Sequence, residues 1–186
     1  TQSRSSAASD VYKRQLYLWA GSLQFDALAA QFVVDGTEPL PLIAMGFVLV
    51  GFGFKVSAAP FHFAAPDAYA GASSPVAGIL ATASKAMGII GLLRMLLIVA
   101  SPEASEDGTV WLTLLGVLSI ITMTWGNIAA LGSKNPKRML AYSSVAHAGY
   151  MLAAITAIGA WNWDASLAGD GGESAVAVLT ALIFHL

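Results

Sequence analysis

The sequence predicts an all-α fold, a polytopic bundle of transmembrane helices. Three observations carry this. The chain is 56% hydrophobic and only 11% charged, with a mean hydropathy of +0.68, values typical of a membrane protein. Apolar stretches of about 20 residues, enough to cross a bilayer, recur from residue 40 onwards. The loops between them divide into a basic one and acidic ones. Composition also excludes several classes of function. A net charge of −2 with no basic face argues against nucleic acid as a partner. No cysteine is present, which removes disulfides, thiolate metal sites and cysteine-ligated iron–sulfur clusters. No P-loop or Rossmann glycine fingerprint occurs, so no cofactor-binding or metal-binding residues are assigned.

Residues 1–15, TQSRSSAASDVYKRQ, are polar and carry three of the nine basic residues. They lack the apolar core of a signal peptide, and SAASDVYKRQ resembles translated sequencing-adapter read-through. This segment is expected to be a non-native leader, the alternative being a cytoplasmic loop, and is set aside from the fold. The chain has no initiator Met and stops in the apolar run Phe184-His185-Leu186, as expected of an internal fragment. Residues 16–186 then form a partial transmembrane domain of about five to six helices.

Leu16 to Trp19 read as the end of a spanning helix, with Tyr17 and Trp19 at interface level. Gly21 to Glu38 form a weakly amphipathic connector. The first full span covers about 40–60 and contains Lys55 and Pro60. A turn-rich bend from His62 to Ser74 follows, punctuated by Pro66 and Gly71. The second span, about 75–99, contains Lys85, with Arg94 close enough to its end to snorkel. The third span is Val110–Leu131. The fourth is Met139–Ala160, ending at the aromatic pair Trp161 and Trp163, and a fifth begins near Ser174. Lys134, Lys137 and Arg138 place loop 132–138 in the cytoplasm by the positive-inside rule. Loops 101–109 and 161–173, which hold only Asp and Glu, fall on the other side. The bend after the first span then lies on the cytoplasmic side.

The polar groups inside these spans are the chemically informative ones. An ammonium at the bilayer centre costs about 2.5–3.5 kcal/mol on insertion scales. At 1.5 Å rise per residue, Lys85 lies about 16 Å from one end of its span and about 22 Å from the other. A lysine stem of about 6 Å reaches neither interface, so Lys85 is read as a functional interior group rather than a snorkelling one. Lys55 follows the same logic if Pro60 breaks its helix within the membrane and leaves Lys55 beside freed backbone carbonyls in a hydrated cavity. Snorkelling is the alternative for it. Ser143, His147 and Tyr150 share one face of the fourth span. His147 is either a proton carrier or a packed histidine satisfied on its own helix. His62, near Asp67 in the bend, forms either a point of proton uptake or a turn-stabilising pair. Thr82 and Ser84 flank Lys85 in sequence, while Gly51, Gly53, Gly78, Gly88 and Gly91 read as small-residue packing positions. Burial disfavours the charged form of an amine, so a row of Lys55, Lys85 and His147 on successive helices suits a proton relay.

The runs GFGFKVSAAPFHFAAPDAYAGASSPV, ATASKA and WGNIAALGSKNPKRMLAYSSVAHAGYML closely resemble the subunit N family of proton-pumping NADH-quinone oxidoreductase (respiratory complex I). The resemblance covers almost everything after residue 15 and corresponds to the middle third of a subunit of about fourteen helices. It implies an antiporter-like module, with Lys55 on a broken seventh helix and Lys85 on the eighth as its lysines. It further implies a glutamate partner on helix five and another lysine on helix twelve. NADH, flavin, iron–sulfur clusters and quinone are implied on partner subunits, with none bound by this chain. The expected surroundings are other membrane subunits and the lipid of a bacterial plasma membrane. Ala64 departs from the PFHxWxPD pattern, where Trp is common, and His185 stands where Tyr is more usual.

Two functions of different class fit the resemblance: a proton-translocating subunit of a redox complex, and a subunit of a cation/proton antiporter built on the same module. The PDAYAGAS bend and ATASK favour the first, since antiporter relatives more often carry PTPVSA and HAATM. A membrane scaffold with packed polar residues is the third class. The orientation is directly testable. With single cysteines introduced as Ser133→Cys and Ser105→Cys, an impermeant thiol reagent added outside is expected to label position 105 and spare 133. Labelling at 133 from outside would reverse the orientation.

Overall fold

The structure, a computed structural model, describes residues 11, 13–35, 39–99 and 108–163. Every described element is a helix. Loop 101–109 up to residue 107, loop 161–173 beyond residue 163, the fifth span and His185 lie outside the described residues, as do residues 1–10 and 12.

Helix α1, residues 13–20, stops at Gly21, whose φ of +68° suits a glycine ending a helix and whose N–H donates to the Tyr17 carbonyl at 2.8 Å. Residues 13–15, assigned to the leader on sequence grounds, are helical here. The connector contains a helix of its own, α2, Phe25–Asp35, with Asp26 in its first turn, where a carboxylate suits the helix dipole. The guanidinium of Arg94 lies 4.5 Å from the Phe25 ring centre, so α2 gives this exposed cation an aromatic contact.

Helix α3, Pro39–Val56, is the first full span. Its prolines, Pro39 and Pro41, fall in the first turn, where a missing N–H costs nothing. The expected break is present, but Pro60 does not make it. The helix ends at Val56, and Ser57 takes a left-handed φ of 65°. Ser57 N–H donates to the Phe54 carbonyl at 3.3 Å and Ala58 N–H to the Gly53 carbonyl at 2.7 Å. These two bonds are the Schellman pair that closes a helix by reversing its last turn. A left-handed serine costs about 1–2 kcal/mol where glycine would cost none. The Val56 carbonyl is therefore not freed by a proline inside a helix, because the helix is over before Pro60 arrives. Ala59 N–H is satisfied across the bundle by Thr122 Oγ1 at 3.1 Å, and that hydroxyl donates to the Leu118 carbonyl at 2.6 Å.

After the turn come α4, Ala64–Gly71, α5, Ser74–Ala81, and α6, Ala83–Val99. The second span was expected as one helix; it is interrupted at Thr82, just before Lys85. There the Thr82 hydroxyl donates to the Gly78 carbonyl at 2.9 Å, and the Leu80 carbonyl accepts from the Tyr69 hydroxyl of α4 at 3.1 Å. Two longer helices follow, α7, Gly108–Leu131, and α8, Pro136–Trp163.

Helices α7 and α8 form a close antiparallel pair. A Cβ at Gly126 would lie 2.6 Å from the Ala146 nitrogen, and one at Gly149 would lie 2.6 Å from the Met123 nitrogen. Only glycine lets two helix backbones approach this closely, the usual device of membrane helices. The Ser119 hydroxyl adds a bond to the Gly149 carbonyl at 2.7 Å. One buried cluster joins Val56, Ile89, Leu92, Leu115, Leu152 and Ile155, so that α3, α6, α7 and α8 share a core. A second, with Leu16, Leu28, Met45 and Trp111, fastens α1 and α2 to α3 and α7.

Among the described residues, three stretches are long and apolar enough to cross a membrane: Pro39–Val56, Ser74–Leu96 and Trp111–Leu131. Helix α8, at 28 residues, has the length, but Ser143, Ser144, His147 and Tyr150 make it less apolar. It carries the polar face of the bundle.

Overpacking a tight contact costs about 1–3 kcal/mol. Gly149→Ala should therefore lower the thermal unfolding midpoint of the protein in detergent. Gly78→Ala, where a Cβ meets nothing within 4 Å, should leave it unchanged or slightly raised. An unchanged midpoint for Gly149→Ala would contradict the close approach of α7 and α8.

Candidate functional site: a buried lysine cleft

Lys85 is only 3% exposed. Its ammonium donates to both oxygens of Ser144 on α8, the carbonyl at 2.6 Å and the hydroxyl at 2.5 Å. A third face of the ammonium looks toward the Tyr69 ring, 5.9 Å from its centre. An ammonium has three donors and accepts nothing, so this arrangement is the minimum that makes burial of the charge tolerable. Hydrogen bonds from a charged donor are short and about twice as strong as neutral ones, in keeping with both distances.

The ammonium lies on a cleft of about 270 Å³ between the α5–α6 junction and α8. Thr82 and Lys85 form one wall; Ser143, Ser144 and His147 form the polar part of the other. Leu140, Ser144, His147 and Met151, all on that wall, recur at the three- and four-residue steps that align side chains along one helix face. The interruption at Thr82 determines which face of α6 presents Lys85 to this stripe.

His147 stands at the exposed side of the cleft, its ring edge-on to Tyr150 with centres 5.8 Å apart. The Tyr150 hydroxyl accepts from Asn127 Nδ2 of α7 at 3.2 Å. The structure therefore places Lys85, Ser143 and His147 on one cleft.

Lys55 is placed differently. It lies in the last turn of α3 and is exposed, and its stem packs on α6, where a Cβ at Gly88 would lie 3.1 Å from Lys55 Cγ. It touches the helix that bears Lys85 yet does not line the Lys85 cleft. The cavity expected at residues 55–60 and shared with Lys85 is not the one observed; α8 supplies the wall instead.

His62 and Asp67 are both in the bend but do not pair. Asp67 is exposed and forms an ion pair with Arg138 at 2.6 Å. His62 is 7% exposed, with its ring 6.0 Å from that of Trp125 and 6.4 Å from that of Tyr142, and its Nδ1 has no hydrogen-bond partner. Lys137 Nζ reaches the Ala72 carbonyl at 3.3 Å. These contacts put the bend and the basic loop 132–138 at the same end of the bundle, as loop charge implied.

Ser144, Tyr69 and Thr122 were not singled out from the sequence. Ser144 had a signal, since it lies three residues before His147 on the same helical face. Tyr69 and Thr122 had none, because each acts across the bundle on a distant backbone group.

Residues 14–169 match the family described as NADH:quinone oxidoreductase/Mrp antiporter, transmembrane. The chain belongs to that family. It is 43% identical over 165 residues to NADH-quinone oxidoreductase subunit N 2 of Roseiflexus castenholzii, covering 87% of this chain and 32% of the relative. It is 50% identical over 115 residues to subunit N of Heliobacterium modesticaldum, covering 62% and 24%. Among solved structures, respiratory complex I from Thermus thermophilus with bound aureothin contains a chain similar at TM-score 0.63 and 37% identity. That match covers 81% of this chain and 31% of the other. The chain thus spans about a quarter to a third of the length of the relatives it matches. It is a membrane protein of all-α, antiporter-like architecture.

Proposed function

We propose that this chain is the central part of a proton-translocating membrane subunit of an NADH-quinone oxidoreductase, in which Lys85 holds and passes the proton. The observation that carries the reading is a lysine buried in an apolar span, bonded to Ser144, on a cleft whose far side is His147. The ammonium is the donor in the resting arrangement. On giving up its proton it keeps a lone pair that can accept from the Ser144 hydroxyl, so the serine serves both states by rotating one O–H. His147, with a donor and an acceptor nitrogen, is suited to take the proton onward. Lys55 enters the relay from the neighbouring helix rather than from the same cleft. His62 and Asp67 are left as uptake candidates at the end of the basic loop. Moving one charge through the membrane field involves about 2.3 kcal/mol per 100 mV. The energy for that transfer would come from quinone reduction by NADH on partner subunits, which would hold the flavin and iron–sulfur clusters, since this chain has no cysteine to ligate them. The relatives named as NADH-quinone oxidoreductase subunit N favour this reading over a cation/proton antiporter subunit. The setting would be a bacterial plasma membrane with loop 132–138 cytoplasmic.

In the full-length subunit assembled in its complex, Lys85→Ala is expected to lower proton pumping by about a hundredfold or more, the scale of a lost acid–base group. Assembly should change far less. Lys85→Arg should fail too, because a guanidinium does not deprotonate in proteins. Normal turnover and proton-to-electron ratio in Lys85→Ala would overturn the proposal.

A further inference from the structure

We infer that the end of the α7–α8 pair is a binding site for the phosphate headgroup of an anionic phospholipid. A cavity of about 440 Å³ opens there, walled by the last turn of α7 and the first turns of α8. Ser133, Lys134, Asn135 and Arg138 line it with polar groups, and Tyr142 stands on the α8 side. This is the charged counterpart of the lysine cleft and has no part in it.

The charge balance favours an anion. Lys134, Lys137 and Arg138 bring three cations to this end; among the described residues Asp67 is the one carboxylate ion-paired to them, an excess of two positive charges. That ion pair occupies one terminal nitrogen of Arg138, and a guanidinium has further donors in its fork. Lys137 is drawn toward the Ala72 carbonyl; Lys134 and Arg138 are the exposed cations that line the cavity, and of these Arg138 is the one shared with Asp67.

The surroundings distinguish a lipid from a free anion. Ile128 and Leu131, the α7 neighbours of the cavity-lining Ala129 and Gly132, are 65% and 89% exposed. Apolar side chains next to a basic cavity at the end of a membrane span fit a molecule with a phosphate head and acyl tails. Basic pockets between transmembrane helices are suited to anionic headgroups, and each nearby cation contributes about 1 kcal/mol of attraction.

The test is photo-crosslinking of the full-length subunit in its purified complex with photoactivatable phosphatidylglycerol, the adducts mapped to peptides. The peptide spanning residues 128–142 should be labelled. Labelling should fall at least fivefold in Lys134→Gln, which leaves the Arg138–Asp67 ion pair intact. Unlabelled phosphatidylglycerol should compete, while inorganic phosphate and phosphatidylcholine should not. Equal labelling by photoactivatable phosphatidylcholine, or unchanged labelling in Lys134→Gln, would overturn the site. Full competition by inorganic phosphate would overturn the lipid and leave a free-anion pocket.

Discussion

One interaction organises the bundle: the ammonium of Lys85 held by the two oxygens of Ser144. A lone charge in an apolar span is among the most expensive groups a fold can carry. The chain brings a second helix to it rather than leaving it to reach water. That requires α8 to lie at a fixed distance and rotation relative to α6. Helix α8 in turn is positioned by α7, through the glycine contacts at Gly126 and Gly149 and the Ser119 bond to a main-chain carbonyl. The backbone packing of one helix pair thus sets the chemistry on the opposite face of α8.

The bend between the first two spans serves the same end. Its halves are held from three directions: the Schellman closure at Ser57, the Thr122 hydroxyl on Ala59 N–H, and the Asp67–Arg138 ion pair. Tyr69 carries the restraint onward, since its hydroxyl takes the Leu80 carbonyl next to the interruption at Thr82. The ring of that same tyrosine faces the Lys85 ammonium. Hairpin, helix interruption and lysine are therefore one mechanical unit. The chain's family is the NADH:quinone oxidoreductase/Mrp antiporter transmembrane family, and a chain of respiratory complex I is similar to it in fold.

Much of this was legible in the sequence because membrane segments obey few rules. The positions of the spans followed from apolar length, and the common end of the bend and the basic loop followed from charge. Lys85 stood out because no lysine stem can reach either interface from its depth. The break after Lys55 was legible, but its cause was not. Proline is a visible helix breaker, whereas a serine in left-handed geometry leaves no mark in the sequence. The connector before the first span was read only as weakly amphipathic; its helix, Phe25–Asp35, packs Leu28 and Phe25 against neighbouring helices. Gly126 and Gly149 were not distinguished from the other glycines, since close approach depends on a partner helix. For the same reason the sequence joined Lys55 to Lys85 through a shared cavity, while the three-dimensional arrangement gives that place to His147.

The measurement that bears most directly on this account is a density map of the assembled complex, at a resolution that shows ordered water. The Lys85 ammonium should lie within hydrogen-bond distance of Ser144, with water filling the cleft as far as the His147 ring. A dry cleft plugged by apolar side chains, or an ammonium turned away from Ser144 toward lipid, would contradict it.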